Sequence, residues 1–452
     1  MNRLFTIILF LITYSVFAQT NVTGNQSGTW NTSGSPYIVT GNITVPSGEI
    51  LTVEPGVTIN FQGHYQFKIN GKLIAEGTES DSIIFTAENT NTGWGGIRVN
   101  SSQVSLFKYC KIEYGKTQGD YPNVHGGGVA LFSSNAVFEH CVFYHNQADT
   151  GEDGMGGAVY ALNTTGATQF SYCRFIANHA FGEGGAVKFS SANGVEFFNC
   201  EFIGNNCKYG GGAVSCYSAA NIKFAFTLFT DNYTLYSGGG AIQTLGMANS
   251  LTFENSTFYG NSANNGDGGA VSLAYAEASF VNSIIFNNPG AYSDNIYLDI
   301  AASASINYCN TPMPDGAEGN NNINTNPMFV NAAQNDFHLT ENSPCVDAGT
   351  DIGYDYLGTA PDMGCFEFDP ATYILNMSAI NKPAIFPNPA KETVNILVDT
   401  KTNLSWQLYD LSGKIIKTGN THCFSVIELA KGTYVIKIFT KTGTDNLKLI
   451  VQ

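Results

Sequence analysis

Charge is scarce in this chain of 452 residues. Only 12% of it is Asp, Glu, Lys or Arg, and 20 Lys and Arg face 36 acids. A formal charge of −16 excludes nucleic acid and anionic membrane surfaces as electrostatic partners. It also repels polyuronate or sulfated polysaccharide unless a cation intervenes. The deficit is uneven: 384–452 hold eight Lys against five acids, whereas 19–383 hold eleven basic residues against 31 acids. Long apolar runs are equally scarce. The one at 4–11 follows Asn2-Arg3 and precedes Val16-Phe17-Ala18. It is too short for a permanent anchor and has the form of a secretory signal over 1–18, cleaved before Gln19. No other stretch approaches the length of a spanning helix, so none is expected in the mature chain. Helical apolar periodicity is missing over any useful length, which excludes helical solenoids. No Cys/His spacing suggests zinc, and no Ser/His/Asp spacing, phosphate loop or cofactor fingerprint occurs.

What is present is a repeat. Seven segments share a Phe, a small residue three positions on, and Phe or Ile two further: Phe107-Cys110-Ile112, Phe138-Cys141-Phe143, Phe170-Cys173-Phe175, Phe197-Cys200-Phe202, Phe224-Thr227-Phe229, Phe253-Ser256-Phe258 and Phe280-Ser283-Ile285. Five residues past the small position stands Asn146, Asn178, Asn205, Asn232, Asn261 or Asn288; the first copy has Gly115 there. Gly-Gly-Ala-Val lies between copies, as at Gly184-Gly185-Ala186-Val187. The period is too short for a propeller blade, and short runs of alternating Phe, Val and Ile cut by Gly, Asn and Ser make strands. The expectation is an all-β protein: a parallel β-helix whose equivalent side chains stack at about 4.8 Å into Phe, small-residue and Asn ladders.

Ten cysteines occur in a chain marked for export, where disulfides are allowed. Cys110, Cys141, Cys173 and Cys200 share a column with Thr227, Ser256 and Ser283, so that column selects size and its thiols are expected free. Cys345 and Cys365 are the better disulfide candidates, Cys207 and Cys216 a further pair, and Cys309 and Cys423 are expected unpaired.

The lines Gly41-Asn42-Ile43-Thr44-Val45-Pro46, Leu51-Thr52-Val53-Glu54-Pro55-Gly56 and Gly93-Trp94-Gly95-Gly96-Ile97 resemble the opening coils of pectate-lyase-like right-handed β-helices. The Gly-Gly-Ala-Val coils are similar to repeats of polymorphic outer-membrane proteins. Ser343-Pro344-Cys345-Val346-Asp347-Ala348-Gly349 and Asp362-Met363-Gly364-Cys365-Phe366 resemble the end segment of choice-of-anchor Q proteins, which implies a cap over the last coil. Phe386-Pro387-Asn388-Pro389-Ala390, Leu408-Tyr409-Asp410-Leu411-Ser412-Gly413-Lys414 and Lys431-Gly432-Thr433-Tyr434 resemble the C-terminal sorting domain of type IX secretion substrates. These resemblances imply a β-helix with caps over 19–368, a linker over 369–383 and a small Ig-like β-sandwich over 384–452. They imply export to the surface of a Gram-negative cell or to its medium, with the type IX machinery as partner. A monomer is expected. The β-helix fold hosts binders and enzymes alike; regular coils, low charge and the lack of a clustered acid or base constellation lead to the expectation of a glycan-binding or adhesin-like module. A polysaccharide lyase or glycoside hydrolase is the alternative.

Candidate chemistry concentrates in the loops before Gly-Gly-Ala-Val. Four positions before the signature's Val stand His125, Glu183 and Asp267, with Asp120, Asp149, Glu152 and Asp153 near by. Stacking of coils three to five is expected to gather Asp153, His179, Phe181, Glu183, Lys188 and Tyr209 on one rim. Aromatic rings flanked by polar groups suit a polysaccharide, and Asp153 with Glu183 offers oxygen ligands to Ca²⁺. A polar loop edge is the blander account. Loop residues carry little core, so a Glu183→Ala, Tyr209→Ala double substitution is expected to remove binding with little loss of stability. Arg174 and Glu201 form either an acid/base pair or a solvated ion pair. Asp347, Asp351, Asp355 and Asp362 either ligate a cation or make turns.

Overall fold

The computed structural model describes residues 19–148, 153–369 and, with interruptions, 384–451. The expected signal over 1–18, residues 370–383 of the linker, and Asp149 and Glu152 lie outside the described residues. The chain divides into two compact units, Met1–Glu367 and Phe368–Gln452.

The first unit is a parallel β-solenoid, with no α-helix among the described residues. One coil shows its plan. Val159–Leu162 forms a first face, Gln169–Ser171 a second, Arg174–Ile176 a third, and His179–Ala180 a short rung. The second face stacks into an 11-stranded sheet and the short rungs into a 5-stranded one. The first and third faces join in one 20-stranded sheet through Tyr37–Val45, which pairs with both Thr58–Phe61 and Phe67–Ile69. Between the second and third faces the chain turns at one left-handed residue per coil, among them Tyr109, His140, Tyr172, Asn199 and Phe226, with φ between 46° and 55°. The Gly-Gly pair has steric causes. Gly184 has φ +66°, and a Cβ on Gly185 would sit 2.1 Å from the carbonyl oxygen of Gly212.

The ladders fill the interior. Phe107, Phe138, Phe170, Phe197, Phe224, Phe253 and Phe280 stack with centroids 4.5–5.3 Å apart. A second column, Phe143, Phe175, Phe202, Phe229 and Phe258, stacks at 4.5–4.9 Å. The two meet edge to face, as at Phe170 and Phe175. Both geometries match the ring quadrupole. In the Asn ladder each buried Nδ2 donates to the next Oδ1, from Asn146 to Asn178 at 3.1 Å through Asn261 to Asn288 at 2.8 Å. Gly115 ends this ladder for a steric reason: its N–H donates to Asn146 Oδ1, and a Cβ there would lie 2.1 Å from Gly127 O.

The thiol column is free and buried, as its exchange with Thr and Ser implied. Each Sγ donates to a carbonyl one coil back, such as Cys141 to Phe107 O at 3.3 Å. The disulfide expectations are corrected: Cys345, Cys365, Cys207 and Cys216 are all unbridged and buried. Each thiol serves a different environment. Cys345 Sγ accepts from Asn310 Nδ2 at 3.1 Å, whereas Cys365 joins Leu228 and Phe337 in a small apolar cluster. Cys309 is free as well; the side chain of Cys423 is outside the described residues.

Residues 323–368 were expected to cap the last coil. Of these, 327–367 lie along the flank of several coils. Cys365 N–H donates to Thr257 Oγ1 and Gly364 N–H to Asn282 O, Tyr354 contacts Phe198 and Phe226, and Phe329 and Phe337 pack on Tyr259. The last strands are instead continued by bridges from Ser305 to Glu318 and from Asn310 to Ile323. Of the acids here, Asp351 makes a local turn, its Oδ1 accepting from Gly353 N–H, whereas Asp347 Oδ1 ties a distant loop by accepting from the Thr359 and Ala360 amides, and Asp362 Oδ1 accepts from Asp347 N–H.

The second unit has two antiparallel sheets. One joins Ala384–Phe386, Thr393–Leu397 and Cys423–Ser425; the other joins Ile415–Gly419, Ser405–Tyr409, Gly432–Thr440 and Gly443–Val451. Trp406 of one stacks on Phe424 of the other at 4.2 Å, within a core that includes Val394, Ile396, Leu408, Ile436, Ile438 and Leu449. Two facing sheets with a shared apolar core fit a small sandwich.

Candidate functional site

The expected rim separates into three parts. The outward residues of the first face, Arg98, Ala130, Tyr160, Lys188, Ser215, Gln243 and Ser272, stand in register. All are buried, because the loops before the Gly-Gly pairs fold down over them. His125 stacks on Tyr160 at 4.4 Å, and Glu183 turns inward to pair with Lys188. Lys188 Nζ also donates to Ser215 Oγ at 3.0 Å. Lys188 and Glu183 therefore form a roofed ion pair, with the Lys side chain 3% exposed and the Glu side chain 20% exposed. Glu183 is committed to that lysine. The expectation that its loss leaves stability intact is reversed, since a buried cation would remain.

Asp153 is exposed at the edge of the undescribed 149–152, and the described residues contain no metal-holding group of three or more His, Cys, Asp or Glu. His179 sits on the short-rung ladder, its Nδ1 2.6 Å from Asn206 Oδ1. Arg174 and Glu201 pair at 2.7 Å on the surface, with side chains 50% and 33% exposed. That is a solvated ion pair of small worth.

The third part is a ridge. Phe181 and Tyr209 come within 6.4 Å, and Tyr236, one coil on, lies 6.4 Å from Tyr209. Lys208, which sequence reasoning missed, places its Nζ 4.2 Å from the Phe181 ring centroid, 4.9 Å from that of Tyr209 and 5.9 Å from that of Tyr236. One ammonium thus gathers three rings, an arrangement stabilised by their quadrupoles. Tyr209 and Tyr236 are exposed. The missed signal was positional: Phe181 and Lys208 each stand three residues past a ladder asparagine, Asn178 and Asn205.

A separate groove crosses the second face near its C-terminal end. Two adjoining hollows of about 480 and about 450 Å³ share Ser250 and Glu277. The larger is lined by Thr252, Ser279, Ser303, Ser305 and Glu318, the other by Met247 and Tyr275. Sequence reasoning missed it because Ser and Thr on a strand carry no signal beyond solubility.

Residues 37–229 match the family of the right handed beta helix region, and 384–452 match the secretion system C-terminal sorting domain. The chain is an exported right-handed β-helix protein with a type IX sorting domain. Its destination is the cell surface or extracellular space, and no helix of the described residues is long and apolar enough to cross a membrane. A stretch of 62 residues is 40% identical to "Protein bark beetle" of Drosophila melanogaster; it covers 14% of this chain and 2% of that protein. No solved structure matches.

Proposed function

We propose that the exported β-helix is a non-catalytic glycan-binding, adhesin-like module. The carrying observation is the Phe181, Lys208, Tyr209, Tyr236 ridge: the exposed Tyr209 and Tyr236 rings for the C–H faces of sugars beside an ammonium that donates to hydroxyls. The test is retention of the purified full chain on insoluble neutral, sulfated and uronate polysaccharides. Retention on at least one is expected, with loss in Tyr209→Ala, Tyr236→Ala; retention by that variant equal to wild type would remove the ridge.

One observation favours the enzymatic alternative: Glu277 and Glu318 both line the larger hollow of the groove. Glycoside hydrolysis uses two carboxylates. Release of reducing ends that disappears in both Glu277→Gln and Glu318→Gln would establish it; no product from any polysaccharide that the protein retains would exclude it.

A further inference from the structure

Arg98 is the most unusual charge in the solenoid. It opens the roofed seam on Ile97–Val99, beneath the loop that ends at Gly126. The side chain is 6% exposed. Nη1 is satisfied, donating to Gly126 O at 2.6 Å and to Ile97 O at 3.3 Å. Nε and Nη2 are buried and have no hydrogen-bond partner among the described residues. Those two atoms form one edge of the guanidinium plane, with parallel N–H bonds pointing the same way. Burial lowers its pKa only to about 10, so it stays charged at neutral pH. Lys188, further along the same seam, has Glu183 as its counter-ion. For Arg98 no described carboxylate plays that part.

We infer that the free edge of Arg98 is a binding site for a small monocarboxylate, taken through two parallel N–H···O bonds from Nε and Nη2. The fork matches a carboxylate in both spacing and planarity, which a spherical halide does not exploit. A single negative charge neutralises a single guanidinium. His125 lies beside the site as a neutral ring. Its chain neighbour Gly126 holds Nη1, its own Nδ1 is buried without a partner among the described residues, and burial lowers its pKa to about 4. The site is distinct from the aromatic ridge and does not rest on the glycan reading.

The test uses the full chain. Thermal unfolding is followed in sodium acetate and in sodium chloride at equal ionic strength, for wild type and Arg98→Lys, which keeps the charge and loses the fork. Acetate is expected to raise the wild-type Tm over chloride by at least about 2 °C and to leave the variant unmoved. In wild type a protected arginine Nε–H resonance should shift on acetate addition. That spectrum decides the matter if the variant does not fold. Equal Tm in both salts with an unmoved resonance would overturn the inference, as would an acetate effect retained by Arg98→Lys. An acetate effect that arises only after Asp149→Asn and Glu152→Gln would assign the position to the chain's own carboxylates and overturn it as well.

Discussion

Glu183 and His125 hold the same place in their coils, four residues before the signature's Val, and both turn onto the roofed seam. Their energetics differ. Removing the Glu183 carboxylate leaves Lys188, 2% exposed, with Ser215 Oγ and the Tyr217 ring as its partners and no counter-ion among the described residues. Glu183→Ala is therefore expected to cost about 3 kcal/mol, read as a lower urea midpoint at unchanged m-value. A loss below about 0.5 kcal/mol would contradict the buried pair. His125 introduces a pH dependence. Burial lowers its pKa to about 4, with Asp153 opposing and Arg98 and Lys188 adding to the fall. Above pH 6.5 the ring is neutral in folded and unfolded chains, and its contribution is fully present. As pH falls from 6.5 towards 4, only the unfolded chain takes up the proton, so stability falls by up to about 3 kcal/mol. Urea titrations at pH 7 and pH 4.5 check this; His125→Gln should shrink the difference by about 2 kcal/mol.

At the scale of elements, the Asn ladder is the least replaceable part of the coil. Asn205 Oδ1 accepts from Asn178 N–H and Nδ2, while its own Nδ2 donates to Phe175 O and Asn232 Oδ1. Asn205→Ala orphans several of these in a closed turn, and about 4 kcal/mol of destabilisation is expected by urea unfolding. Cys173→Ser in the neighbouring column should cost under about 1.5 kcal/mol, since Thr227 and Ser256 fill the same place. The ladders were legible in the sequence because in-register stacking turns a spacing along the chain into a column in space. Phe107 to Phe280 could be placed from spacing alone. The roof was not legible. A repeat shows that His125 and Glu183 share a position, but whether a loop stands clear or folds onto the face depends on where each coil offers a partner, here Tyr160 and Lys188. The flank position of 327–367 was hidden for a similar reason: Phe329, Phe337 and Cys365 pack against Leu228, Tyr259 and Thr257, outward residues that the repeat marks only as facing solvent. In the second unit, Ala384–Phe386 and Cys423–Ser425 are too short to show alternation, and the sandwich had to be inferred from motifs.

At the scale of the whole molecule, the second unit serves delivery, and under the proposed glycan-binding function the solenoid serves presentation. Deleting 384–452 removes the sorting domain and should leave the solenoid in the periplasm, scored by fractionation and immunoblotting; recovery of the truncated chain from the surface or medium would contradict the sorting role. The ladders make a rigid scaffold that holds Phe181, Tyr209 and Tyr236 on adjacent coils without help from a ligand, which limits the ordering cost of binding. Isothermal titration of the best-retained oligosaccharide into wild type and a Lys208→Ala, Tyr209→Ala, Tyr236→Ala variant tests that account most directly. We predict at least ~100-fold weaker binding in the variant, about 2.7 kcal/mol, with Tm within about 2 °C of wild type; equal affinity in the two proteins would contradict it.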